Sequence, residues 1–289
     1  MLTLFATPKH FRGPIATIQR NAIASWTHLN PRPEIFLFGD EEGTAEIATR
    51  HGLRHFPEVA RNEFGTPLLD DLFRKAGEHA STPLLGYVNA DIILTDDFCM
   101  AIERVRSRFE KFMMVGRRWD MDWKEPLDFS QGSWAESIRG HALRANVQRP
   151  GNFIDYFVFP RGLGDGLLPL AIGRPGFDNY LLWRMRSRGA ELVDASSAVV
   201  AIHQNHDYAH RSLGQGDRKG EPEYKRNRAM IGAWWHLYTI DDATQILDAE
   251  GIHTSHRHAW LMAKRLWSHP LTLVQLPWLA LKRLTGALQ

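Results

Sequence analysis

The chain has 289 residues, 44% of them hydrophobic and 24% charged, which is enough apolar material for a large core, so disorder is not the default expectation. Thirty-five basic against 33 acidic residues leave a formal charge of +2, so no overall field marks nucleic acid as the partner. The single cysteine, Cys99, excludes an intramolecular disulfide and fits a reducing, cytoplasmic compartment.

Residues 1–13, MLTLFATPKHFRG, carry no long apolar run and no small-residue cleavage region, so they read as a first strand (residues 2–7) rather than a signal peptide. A helix is predicted over residues 15–29, where Ile15, Ile18, Ala22, Ile23 and Trp26 share one face. A second strand follows over 34–40, a helix over 42–51 stopped by Gly52, a short strand over 54–56 and a helix over 67–79. Residues 84–94 form one long apolar strand. Strands alternating with helices predict an α/β fold with parallel strands joined by crossover helices. Beyond lie a helix over 98–109, a strand over 112–117, and a tryptophan-bearing stretch over 119–151 expected to form loops and short helices. A strand over 152–160, a helix over 179–188 and a strand over 191–203 complete the pattern. Residues 206–228 are rich in glycine and charge and are expected to be a mobile loop.

No run reaches the roughly 18 to 20 apolar residues of a membrane span. The segment from Ala259 onward mixes leucine and tryptophan with Lys264, Arg265, Lys282 and Arg283, a composition suited either to a membrane surface or to a packed helical pair. The chain is expected to divide at residue 240 into a main α/β domain and a C-terminal helical tail over 241–289.

One charge stands out. Within YVNADIIL, residues 87–94, Asp91 interrupts an apolar run, and a carboxylate there needs a partner. Ligands of parallel sheets gather beyond the carboxyl ends of strands, so Asp91 is placed to face a crevice. Asn89, two positions away, shares its face if the chain stays extended. One of the two could hold a sugar hydroxyl and the other a hard cation such as Mg2+ or Mn2+. The alternative is a structural Asp that closes the strand. Asp178, in IGRPGFDNYLLWRM, precedes an apolar helical run and reads on its own as a helix N-cap.

Taken in order, LFATPK, the strand ending in NAD, GRPGFDN and AIHQNHDYAH resemble the GT-A glycosyltransferases over residues 1–208. The resemblance implies a Rossmann-like nucleotide-diphospho-sugar transferase fold, a mixed sheet flanked by helices. It also implies a nucleotide-sugar donor, a carbohydrate or glycolipid acceptor, and a divalent cation held on a DxD motif. Asp91 matches the last Asp of that motif and is the implied metal ligand; Asn89 stands where the first Asp would be. A histidine completes the shell in that family, and HQNH offers His203 and His206. An (i, i+3) pair at a strand end is expected to point in different directions, so one ligand is expected, His206 before His203. Asp178 takes the place of the general base of inverting members.

Thr7, Pro8 and Lys9 follow the first strand where the nucleotide would lie. Asp40 is placed to reach the base or ribose. Thr66 opens a helix whose amides favour anions. Arg117 and Arg118, with Arg211, Arg218 and Lys219, would neutralise the diphosphate. Asp155 and Tyr156 would line the sugar or acceptor wall, and Trp119, Trp123 and Trp134 would stack on a sugar face. A sugar-phosphate nucleotidyltransferase shares the nucleotide-binding half but wants a glycine cluster in the first loop, which LFATPKHFRG lacks. A non-catalytic binding protein of the same fold is the alternative that Asn89 favours. A hydrolase built on His203, His206, Asp207 and His210 lacks an HExxH pattern.

Overall fold

The computed structural model describes residues 1–206 and 221–268. In chain order the first elements are β1 (Leu2–Ala6), α1 (Gly13–Thr27), β2 (Glu34–Phe38), α2 (Thr44–His51), β3 (Arg54–Phe56), α3 (Leu69–His79) and β4 (Leu84–Val88). The second half contains β5 (Ile92–Ile93), α4 (Asp96–Arg106), β6 (Phe112–Met121), α5 (Trp134–Ala145), β7 (Ile154–Pro160), α6 (Phe177–Ser187), β8 (Glu191–Asp194) and β9 (Ala201–Gln204). It ends with α7 (Pro222–Ile231), β10 (Gln245–Leu247), β11 (Ile252–Thr254) and α8 (Arg257–Ser268).

The main sheet runs β11-β10-β8-β6-β7-β4-β1-β2-β3. β3, β2, β1 and β4 are mutually parallel, whereas β7 is antiparallel to both β4 and β6. Every residue of β1 and β4 is buried, as expected for strands covered on both faces. Alternate side chains feed two cores. Leu2, Leu4 and Ala6 join one with α1, α2 and α4, and Phe5 joins the other with α3 and α6. In that second core Phe5, Phe73, Tyr87 and Phe157 make edge and tilted ring contacts at 5.0 to 6.1 Å, each contributing about 0.5–1.5 kcal/mol beyond area burial.

The predicted strand over 84–94 is two strands. Ala90 and Asp91 form a turn closed by the Ile92 amide on the Asn89 carbonyl (3.1 Å), and β5 leaves the main sheet to pair with β9. β6 runs past the predicted end at Arg117. Its register shifts between Val115 and Arg117, so its first half lies in the main sheet and its second half pairs with β9. The shift falls at Gly116, where a Cβ would meet the Tyr156 hydroxyl at 2.1 Å. The result is a small second sheet, β5-β9-β6.

Three further expectations change. The stretch over 119–151 contains a full helix, α5, whose weak pattern follows from having only Ile138 and Ala142 buried. Residues 222–228, expected in a loop, belong to α7. The division at residue 240 does not hold as drawn, because β10 and β11 extend the main sheet to Thr254 and Leu247 is fully buried in the first core. Residues 207–220 and 269–289, with Asp207, His210, Arg211, Arg218, Lys219, Lys282 and Arg283, lie outside the described residues.

Candidate active site

Two-residue β5 is too short to hold itself, and α1 supplies what the small sheet lacks. Trp26 Nε1 donates to the Ile92 carbonyl (2.9 Å), and Ser25 Oγ accepts the Leu94 amide (3.1 Å). Gln204 Nε2 donates to the carbonyls of Ile18 (2.9 Å) and Asp91 (3.3 Å), and its Oε1 accepts from Asn21 (2.9 Å). The bonds to the backbone of Asp91, Ile92 and Leu94 satisfy groups that the turn leaves open, and those of Gln204 to Ile18 and Asn21 tie that segment to α1, which fixes Asp91 in space.

The register then gathers the polar groups. His203 on β9 lies opposite Ile92 on one side and opposite Asp120 of β6 on the other. Asp91 Oδ2 is 3.1 Å from His206 Nε2 and 3.7 Å from His203 Nε2. Both imidazoles therefore face one carboxylate, contrary to the expectation of a single histidine. β9 ends at Gln204, and the two further residues bring His206 back over the site. Ligand atoms of Asp91, His203 and His206 lie within 4.8 Å of one another. Burial works against the charge of Asp91, but His203, His206 and the Lys9 ammonium outweigh it and hold the carboxyl well below its usual range. Its Oδ1 is buried and accepts no hydrogen bond among the described residues. A carboxylate with one oxygen beside two imidazoles and the other without a hydrogen bond is what a divalent cation would satisfy, so the donor set fits one.

A second carboxylate lies across the β4 end. Phe177, the first residue of α6, is buried against Tyr87 and Phe157, and this contact fixes where the helix begins. Gly176 caps it at φ 98°, so Asp178 is the second helical residue rather than the N-cap, and its Oδ1 accepts the Asn179 amide (2.9 Å). Burial, reinforced by the charge of Asp155, pushes the Asp178 carboxyl up to about 6.

Between the two lies a buried network. Asn89 does not turn toward the cation site; it donates to Asp155 Oδ1 (2.5 Å) and accepts from the Tyr87 hydroxyl (3.1 Å). Its amide is what remains once the chain turns at Ala90. Arg118 bridges Asp155 Oδ2 (3.0 Å) and Asp120 Oδ1 (2.8 Å), and all three side chains are at most 10% exposed. Asp120 was not singled out from the sequence. The signal available was the Arg118/Asp120 pair, two apart on a strand end and therefore on one face.

No family profile and no curated protein sequence matches the chain. Solved structures do. GalNAc-T7 in complex with UDP, GalNAc and Mn2+ superposes with a TM-score of 0.50 at 15% identity, covering 81% of this chain and 49% of that one. The chain carries the GT-A glycosyltransferase fold. Glucosyl-3-phosphoglycerate synthase from Mycobacterium tuberculosis, in complex with Mn2+, UDP and glucosyl-3-phosphoglycerate, gives a TM-score of 0.45 at 16% identity over 73% of this chain and 74% of that one. A candidate glucose-1-phosphate thymidylyltransferase from Bacillus anthracis gives 0.45 at 10% identity over 75% and 98%.

Within this GT-A frame the remaining predicted residues separate. Half-buried Thr7, buried Pro8 and exposed Lys9 follow β1, and Gln19 clamps the Lys9 backbone at N (2.6 Å) and O (2.8 Å). Asp40 is exposed and paired with Arg61 (2.8 Å). Thr66 does not open a helix. α3 starts at Leu69, its first turn already holds Asp70 and Asp71, and Thr66 Oγ1 instead accepts from Arg174 (3.3 Å). Arg117 turns away from Arg118, as alternation requires, and pairs with Asp241 (3.2 Å). Tyr156 is core, and half-buried Trp119, Trp123 and Trp134 pack against a cluster that includes Ile138 and Ala142 of α5.

Proposed function

We propose that the protein is a metal-assisted, inverting glycosyltransferase that moves a hexose from a nucleotide-sugar to a hydroxyl of a carbohydrate or glycolipid acceptor, in surface polysaccharide or glycoconjugate synthesis. The observation that carries this reading is the cluster of Asp91, His203 and His206 at the carboxyl end of central strand β4, where the second carboxylate oxygen of Asp91 is buried and accepts no hydrogen bond among the described residues. GalNAc-T7, which shares the fold, was solved with UDP, GalNAc and Mn2+, which supports the same donor class here.

A divalent cation held by Asp91, His203 and His206 would neutralise charge on the diphosphate as it leaves. Mixed imidazole and carboxylate donors favour Mn2+ over Mg2+, which prefers all-oxygen shells. Lys9, whose charge already reaches Asp91, adds a second positive group beside the β1 end. Asp178 accepts the acceptor hydroxyl proton while that oxygen attacks the anomeric carbon; the bond from that carbon to the phosphate oxygen breaks, and its electron pair leaves with the nucleoside diphosphate. A carboxyl poised near 6 is ionised at neutral pH yet basic enough to take the proton.

Calorimetric titration with UDP, GDP and dTDP, with and without Mn2+, tests the donor half. Slow donor hydrolysis releasing a nucleoside diphosphate tests the chemistry without a known acceptor. Binding that requires Mn2+ supports the reading; no nucleotide binding overturns it in favour of a non-catalytic protein, and pyrophosphate release would reveal a nucleotidyltransferase. No described helix is long and apolar enough to cross a membrane. Contact of the segment from Ala259 onward with an anionic surface belongs to the same proposal, supported by Trp260, which is 63% exposed. Sedimentation with phosphatidylserine vesicles reads it, and loss of pelleting on Trp260→Ala is expected.

A further inference from the structure

His203 makes a contact that a metal ligand alone would not need. While Nε2 faces Asp91, Nδ1 lies 3.3 Å from Asp120 Oδ1, an ion-pair distance without the alignment of an ideal hydrogen bond. The imidazole is 3% exposed, so no bulk water replaces that partner. With a cation in place of the Nε2 proton the imidazole is neutral and carries one proton. A carboxylate beside Nδ1 keeps the proton there and leaves the lone pair on Nε2, the nitrogen that faces Asp91.

Asp120 is itself held. Arg118 Nε donates to the same Oδ1 (2.8 Å), and the Arg149 guanidinium lies 3.2 Å from Oδ2. Both guanidiniums are stacked over the Phe153 ring, at 5.1 and 4.4 Å from its centre. This arrangement is more than strand pairing requires, because the register alone would allow any small residue opposite His203.

We propose that Asp120 is a positioning residue, locked by Arg118, that sets the tautomer and orientation of His203 so that Nε2 is presented to a divalent cation shared with Asp91 and His206. The inference rests on the metal reading proposed above and adds an outer carboxylate to it. Its effect belongs to metal affinity, with no contact to either substrate.

The test measures Mn2+ binding by electron paramagnetic resonance and the His203 tautomer by long-range proton–nitrogen correlation in histidine-labelled protein. Wild type is expected to bind Mn2+ and to carry the His203 proton on Nδ1. Asp120→Ala should weaken Mn2+ roughly 10–100-fold and shift the tautomer. Asp120→Asn, which keeps the volume and an oxygen for Arg118, should lie between the two and guards against a folding defect in the alanine variant. Wild-type affinity and tautomer in both variants would overturn the positioning role while leaving the metal reading intact. A wild-type chain without Mn2+ binding would overturn the metal reading, and the tautomer comparison would still decide whether Asp120 governs His203.

Discussion

The turn before β5 and the first turn of α6 each hold a half-buried aspartate at the same end of the sheet, yet the two carboxyls are shifted in opposite directions. Asp91 faces two imidazoles and the Lys9 charge and is held low; Asp178 faces Asp155 and apolar walls and is raised to about 6. Burial raises both, so the difference lies in the sign of the neighbours. Two carboxylates pushed apart in this way are suited to separate tasks, one as a fixed negative ligand and one as a proton acceptor.

The contrast breaks most sharply at Asp178. Asp178→Asn keeps the shape of the α6 start but removes the base, and kcat should fall roughly 10²–10⁴-fold while Mn2+ and nucleotide binding by calorimetry stay as in wild type. Normal turnover by this variant would remove it from the chemistry. Asp91→Asn should do the reverse. Mn2+ affinity should drop by more than about 100-fold, beyond what loss of an outer partner gives, and nucleotide binding should lose its metal dependence. An unchanged titration would mean that Asp91 only closes the turn.

pH sharpens the same comparison. With Mn2+ saturating, Asp178 is protonated below about 6, so kcat/KM should fall about tenfold per pH unit on the acid side and level off above it. Asp155→Asn removes the negative neighbour that raises Asp178, and the acid limb should move to lower pH. A limb that stays in place, measured across the same buffers, would show that another group controls it.

The sequence made one of these regions easier to read than the other. β1, β2 and β4 are continuous apolar runs because both their faces are covered, and a lone Asp at the end of such a run is conspicuous. The alternation of such strands with helices gives the α/β class, whereas the mixed GT-A sheet is implied by the resemblance. The small sheet was hidden for the opposite reason: β5 has two residues and depends on α1, and Asp91 meets His206 across 115 positions, a separation that carries no local period. The same gap concealed Asp120, whose importance comes only from the register of β6 with β9. Asn89 shares a face with Asp91 only in an extended chain, and the turn at Ala90 leaves its amide on Asp155 instead. Alternation predicts faces only while the strand lasts.

The smallest effect is expected where charge alone guided the reading. Arg117 and Arg118 are adjacent, and either could be assigned to a diphosphate by sign. Strand geometry sends them to opposite faces, so Arg118 reaches Asp120 and Asp155 whereas Arg117 reaches Asp241 in the segment before β10. The Arg117 and Asp241 side chains are 28% and 47% exposed, which places their pair in the screened class worth about 0–1 kcal/mol. Arg117→Ala should therefore shift the unfolding midpoint only slightly and leave nucleotide affinity unchanged. If calorimetry instead showed the affinity falling with this variant, the anion would have to lie on the Arg117 face of β6, and the site built on Asp91 would be on the wrong side of the strand.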